Sequence, residues 1–323
     1  MPEIKTTRPL PVSRHFRLEQ LAGGVYAAIA TDEGAAVSNA GIIELGGRTL
    51  VFDTFMTPVA AKDLRSAAEA LTGQPVTCVI NSHYHNDHIR GNQVFSAETE
   101  IMASVRTCQL IETKGVEELR WDVENAPVRL QTHEKELADE PDDAHRQEVM
   151  YWIAYYRAIT ESLPSLKLRH PNWSFDEQVT FFGSRRMARL ISYGAGHTED
   201  DSILYLPDDG IVFASDLLFV NCHPYLPDGE LQSWLEALKK LEALGVQKIV
   251  PGHGPVGTAE DLGLMRFYIT SLQSLAARSV KDGISAEKAA RSAIPASFKR
   301  WRFPSFFRLN LRYLVEQLQT PSA

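Results

Sequence analysis

From Val25 onwards apolar residues come in short runs, "VYAAIA", then "NAGIIEL" and "TLVFDT", and residues 25 to 53 read as strands. Gly46-Gly47 joins the last two runs, a strong hairpin signal. "TPVAAKDLRSAAEALTG" then predicts a helix, with Thr57 as N-cap, Pro58 at the first position and Gly73 just past the end. "VTCVINS" is nearly all apolar, the pattern of a short strand buried on both faces, and it delivers the chain straight to His83.

The second half repeats this order. "DSILYLP" and "GIVFASD" form a hairpin around Pro207-Asp208-Asp209-Gly210. "LQSWLEALKKLEALG" has apolar positions at helical spacing and Gly245 to close it. "QKIVPGHG" is another short strand ending in a histidine. "TLVFDT…VINSHYH" is thus answered by "GIVFASD…KIVPGHG", and the matched order predicts an internally duplicated α/β layer structure.

Between the halves, roughly residues 104 to 175, the chain turns helical and charged. "EKELADEPDDAHRQEV" reads as a solvated face and a turn between helices. "VMYWIAYYRAI" is apolar nearly all the way round. Its plain reading is a helix buried between the core and its neighbours; the alternative is a lid or a homodimer contact, where aromatic-rich helices are also used. From about residue 258 to 320 three helices follow, "AEDLGLMRFYITSLQSLAARSVKDG", "SAEKAARSAI" and "SFFRLNLRYLVEQLQ", read as cover with no chemistry of their own.

Composition narrows the function classes. The 323 residues are 44% hydrophobic and 23% charged, a soluble globular balance that fits one large domain. A net charge of −8 argues against a nucleic-acid partner. Cys78, Cys108 and Cys222 suggest neither a disulfide framework nor a cysteine zinc site and fit a reducing compartment. "MPEIKTTRPLPVSRHFRLEQ" lacks the apolar core of a signal peptide, and no segment approaches the roughly 20 apolar residues of a membrane span. The expectation is a cytoplasmic protein with a small-molecule substrate.

The chemistry concentrates in "NSHYHNDHIRGN", residues 81 to 92, which holds three of the ten histidines. Residues two apart in an extended chain share a side, so His83 and His85 can reach one ion while Tyr84 and Asn86 face away. Asp87 and His88 follow as the chain turns into a helix beginning near Ile89, placed to serve a second ion. Imidazole and carboxylate ligands suit zinc and, less selectively, iron or manganese. Two ions need more ligands, and three more lie just past short apolar runs: His197 in "YGAGHTEDD", Asp216 in "VFASDLLF" and His253 in "VPGHGP". Two of them are flanked by glycines that let the backbone crowd a ligand. His15, His133 and His145 lie in polar segments and read as solvated. His223 and Tyr225, in "NCHPYLP", follow Asp216 closely enough to line a substrate pocket, and Tyr84, between the candidate ligands His83 and His85, is a further candidate to support them or line that pocket.

H-x-H-x-D-H, then G-H-T, an Asp after a hydrophobic strand, and P-G-H-G together resemble the metallo-β-lactamase superfamily, over about Leu21 to Pro255 without the helical insertion. The resemblance implies a four-layer αββα sandwich with the metal site along one sheet edge. It implies one metal held by His83, His85 and His197, a second by Asp87, His88 and His253, Asp216 bridging them, and Asp53 as a supporting aspartate beside the site. Two Zn2+ ions per chain are expected, with Fe or Mn as the other candidates. Such a pair binds a water and lowers its pKa from about 15.7 towards 7, with Asp87 orienting the hydroxide, so the expected reaction is hydrolysis of a β-lactam, thioester, lactone or ester.

Two departures bear on the substrate. The main zinc β-lactamases carry Cys where this chain has Asp216, and Lys where it has Phe219, so any β-lactamase activity is expected to be weak. The bridging Asp is instead similar to the hydroxyacylglutathione hydrolases and lactonases of the family. The alternative is an iron-dependent redox member such as a persulfide dioxygenase, which metal identity separates because zinc does not cycle.

Overall fold

The computed structural model describes residues 9–140 and 142–320; the first eight residues, on which the reading of the N-terminus partly rests, lie outside them. Strands β1 (Phe16–Ala22), β2 (Val25–Ala30), β3 (Ala40–Glu44) and β4 (Thr49–Phe52) form an antiparallel meander. Helix α1 (Pro58–Thr72) crosses over to β5 (Val76–Ile80), which lies parallel to β4. Thr57 caps this helix by accepting from the Ala60 amide, and Gly73 ends it at a φ of 72°, a left-handed backbone that glycine adopts without strain. A short helix α2 (Asn86–Ile89) and a 3₁₀ turn lead to β6 (Glu100–Ser104). Helices α3 (Val105–Leu110), α4 (Val116–Asp139) and α5 (Asp143–Ser162) follow, and β7 (Trp173–Phe175) then completes a seven-stranded sheet in chain order.

The second sheet takes β8 (Gln178–Phe182), β9 (Met187–Ser192), β10 (Ser202–Leu206) and β11 (Ile211–Phe219), then crosses through α6 (Leu231–Ala243) to β12 (Lys248–His253). Its order is β12-β11-β10-β9-β8. Helices α7 (Ala259–Lys281), α8 (Ala286–Ala289) and α9 (Pro304–Gln319) pack on its outer side.

Strand alternation explains the layers. Leu50 and Phe52 of β4 meet Ile211 and Phe213 of β11 between the sheets, while Val51 points out to α1 and Val212 out to the helices beyond. Burying each such large side chain contributes about 1.5–3 kcal/mol, so a one-residue slip would forfeit the whole face. The expected duplication is present: an antiparallel hairpin (β3–β4, β10–β11), a crossover helix (α1, α6) and a parallel partner (β5, β12). Because β4 and β5 run parallel, as do β11 and β12, their carboxyl ends meet along one edge.

Several expectations need adjusting. The strand region starts earlier, at Phe16, whose run "FRLEQLA" is too polar to read as core. The helix expected near Ile89 starts at Asn86, so Asp87 and His88 sit inside it. The insertion is helical from Val105, but its last three residues form the edge strand β7. Of "SAEKAARSAI" only Ala286–Ala289 is helical. His15, expected in water, is buried, and its Nδ1 accepts the Ala35 amide at 3.0 Å.

Candidate metal centre

His83 and His85 follow β5, Asp87 and His88 lie on α2, His197 sits in the loop after β9, and Asp216 and His253 lie on β11 and β12. Strands from both sheets thus end at one place. Two of these positions depend on a missing side chain: a Cβ on Gly252 would overlap the Asp216 carboxylate, and one on Gly196 would press into Leu217 and Asp201.

The seven side chains form two groups. In the first, His83 Nε2 lies 3.1 Å and His197 Nε2 3.0 Å from His85 Nδ1, and Asp216 Oδ2 is 3.2 Å from His197 Nε2. In the second, His253 Nε2 is 3.3 Å and His88 Nε2 3.6 Å from Asp87 Oδ2. Asp216 joins them, with Oδ1 3.2 Å from His88 Nε2 and Oδ2 3.5 Å from His253 Nε2. Each group could hold one metal ion.

The donor set fits a cation on its own terms. His85 Nε2 is engaged with Asp228 at 3.0 Å, and His83 Nδ1 with the Ser82 hydroxyl at 2.9 Å. On His83 and His85 the nitrogens facing the group are therefore the bare ones, while His197 Nδ1 has no hydrogen-bond partner among the described residues. A single shared proton satisfies only one facing pair where a central cation satisfies all three nitrogens. His88 Nε2 and Asp216 Oδ1 are buried with no hydrogen-bond partner among the described residues. Such groups are costly to bury unless something pairs with them.

Electrostatics follows from the same geometry. Burial lowers the pKa of His197 to about 3, despite the nearby Asp216. It also disfavours charge on His88, but Asp87, Asp216 and Asp53 outweigh it and hold that imidazole well above its usual value. Burial would raise Asp216; His253, His88 and His197 instead hold its carboxyl well below the usual range. Carboxylate and neutral imidazole are the ligating forms, so a cation would displace the proton that these carboxylates favour on His88, while Asp53 supplies the contact that fixes the ring. Asp53 Oδ2 lies 2.8 Å from His88 Nδ1, leaving Nε2 aimed at the centre.

A model of the metallo-β-lactamase superfamily matches residues 34–253. The chain belongs to the metallo-β-lactamase superfamily. Two solved structures share its fold. A metallo-β-lactamase from Pontibacter korlensis is 18% identical at a TM-score of 0.56, with 79% of this chain and 99% of that one covered. The metallo-β-lactamase FIM-1 from Pseudomonas aeruginosa, in a mono-zinc form, is 16% identical at a TM-score of 0.57, covering 81% and 97%.

Beside the centre of this superfamily member lies a cavity of about 350 Å³. His223 and Tyr225 both line it. His223 is fully buried, engages the Tyr268 hydroxyl at 3.1 Å, and is pushed down to about 4 by burial, partly offset by the Phe298 backbone. Tyr84 is buried outside the cavity wall and donates to Asp228 at 2.9 Å. Asp228, Ser82 and Ser215 have no place in the sequence reading. Asp228 is 143 residues from His85, in a polar turn that carries no local signal. The aromatic face of α5 lines the cavity rather than disappearing into the core, and Phe303 and Phe306 make the C-terminal part a wall of the site as well as cover. Among the described residues no helix is long and apolar enough to cross a membrane.

Proposed function

We propose that this superfamily member is a dinuclear zinc hydrolase that opens an activated carbonyl. The observation that carries the reading is Asp216, one buried carboxylate within 3.2–3.5 Å of His197 in one donor group and of His88 and His253 in the other, beside a cavity of substrate size. His83, His85, His197 and Asp216 would hold one ion, and Asp87, His88, His253 and Asp216 the other. When bound, two such ions would lower the pKa of a water held between them and make the scissile carbonyl more electrophilic. Asp87 stands at the cavity wall, where it orients the attacking group, and Asp53 keeps His88 in the ligating tautomer. The cavity admits a small molecule; we place the protein in the cytoplasm.

Five imidazoles and two carboxylates also suit iron, so metal content separates hydrolysis from redox chemistry. Elemental analysis of the protein purified without added metal should find about two zinc ions per chain. A chelator should abolish hydrolysis of an ester, thioester, lactone and β-lactam panel, and zinc should restore it. Iron as the main metal, with oxygen uptake on a persulfide and no hydrolysis, would replace this reading with the redox one.

A further inference from the structure

The cavity beside the metal centre has an unusual charge pattern. On α5, Tyr151, Trp152, Tyr155 and Tyr156 fall at i, i+1, i+4 and i+5, one face of a helix, and all four line it half-buried. Opposite them, Phe306 stands 5.5 Å from the Trp152 ring and 5.8 Å from the Tyr225 ring, closing an aromatic chamber. Phe219 continues the wall to the centre, stacked on His253 at 5.1 Å.

Among the described residues that line the chamber there is no lysine or arginine. Its charged groups beyond the metal donors are Glu118 and Asp228. Arg90, paired with Asp122, does not line it, and Arg17 and Arg302 line an adjoining cavity of about 200 Å³ that shares Val37, Tyr151, His253 and Phe303 with the chamber. Both of the latter are engaged already: Arg17 with Glu19, and Arg302 with Asp32 and the face of the Phe303 ring. A carboxylate carried into the chamber would lose its water and meet aromatic faces, the Glu118 carboxyl that burial pushes up to about 7, and Asp228 already paired with His85, none of which pairs an anion.

We propose that the chamber built by α5 and the start of α9 binds the non-reacting part of an uncharged, apolar acyl substrate and discriminates against substrates carrying a carboxylate there. The reacting bond is taken from the hydrolase reading above, whereas the chamber's preference concerns binding alone. Small polar esters leave the aromatic wall unused, and β-lactams or glutathione thioesters bring anions that it does not pair.

The test uses the full zinc-loaded chain and two esters of equal length, para-nitrophenyl hexanoate and the mono-para-nitrophenyl ester of adipic acid. The hexanoate should show a kcat/KM higher by about ten-fold or more at neutral pH. Trp152→Ala and Phe306→Ala should each raise its KM and erase most of that preference. Binding is read separately, by isothermal titration calorimetry, with hexanophenone, a neutral ketone that cannot be hydrolysed. Saturable binding weakened in both variants supports the chamber even if neither ester turns over, in which case the hydrolase reading alone falls. Ester turnover with no hexanophenone binding, or with the adipate ester equal or preferred, overturns the chamber and leaves the hydrolase standing.

Discussion

Asp53 and Asp216 occupy matching places in the two halves of the molecule, each just past a buried apolar strand segment. The backbone enters the left-handed region at both, with a φ of 60° at Asp53 and 49° at Ser215 beside Asp216. Non-glycine residues there cost about 1–3 kcal/mol each and persist where the surroundings over-determine them. Burial does not distinguish the aspartates, at 1% and 3% exposure. Their neighbours do. Asp53 accepts the Ser82 amide at 2.8 Å and the Ser82 and Ser215 hydroxyls at 2.9 Å, and contacts His88; its lone pairs are spoken for. Asp216 faces four imidazoles and keeps Oδ1 without a hydrogen bond among the described residues. One local frame, used twice, makes a buttress in one half and a candidate bridge in the other.

The sharpest way to break that comparison is Asp216→Ala. It should lose bound metal at both groups and all detectable hydrolysis, checked by metal content per chain and turnover; retention of two ions would remove Asp216 from the bridge. Asp53→Asn should do less, lowering metal affinity by roughly 10–100-fold, the usual cost of losing an outer partner, as a competing chelator would measure. Equal losses in the two variants would mean that the halves are not divided in this way.

Asp228 sharpens the point, because it supports His85 in the way Asp53 supports His88. In the metal-free protein, burial opposes charge on both members of the Asp228–His85 pair, yet their hydrogen bond wins. Asp228 is held down at about 2 and His85 up at about 9. The His85 share of stability is full below its usual 6.5 and is lost as pH rises through about 9. The Asp228 share is full above its usual 3.8 and is lost as pH falls through about 2. Asp228→Asn should therefore lower the Tm of the metal-free chain most between about pH 4 and 6.5, converging on wild type outside about pH 2 to 9. A pH-independent difference would show that the pair does not titrate as described.

The smallest effect concerns the crossover helices. Thr57 is a buried cap whose hydroxyl also donates to the Ala35 carbonyl at 2.8 Å, while Glu230 caps α6 from an exposed position. Thr57→Ala should cost about 1 kcal/mol in urea unfolding and Glu230→Ala less, with metal content unchanged in both.

Much of this was legible along the chain because local rules carry it. Period-two alternation, the Gly46-Gly47 turn, the Thr57 cap and Gly73 stop are decided within a few residues, and the layered, duplicated fold follows from them. The dense His83–His88 stretch and the histidine and aspartate residues after short strands were visible as chemistry for the same reason. Asp228 was not, since its partners Tyr84 and His85 come from a distant strand end; nor was the aromatic chamber, since helical periodicity places Trp152 on a face without saying what that face meets. The sequence by itself determined which residues could bind metal and which elements would present them. Only the tertiary structure decided that Asp53 is satisfied and Asp216 is not, and that α5 and α9 close on one cavity, because burial and hydrogen-bond pairing are set by neighbours that the chain brings in from far away.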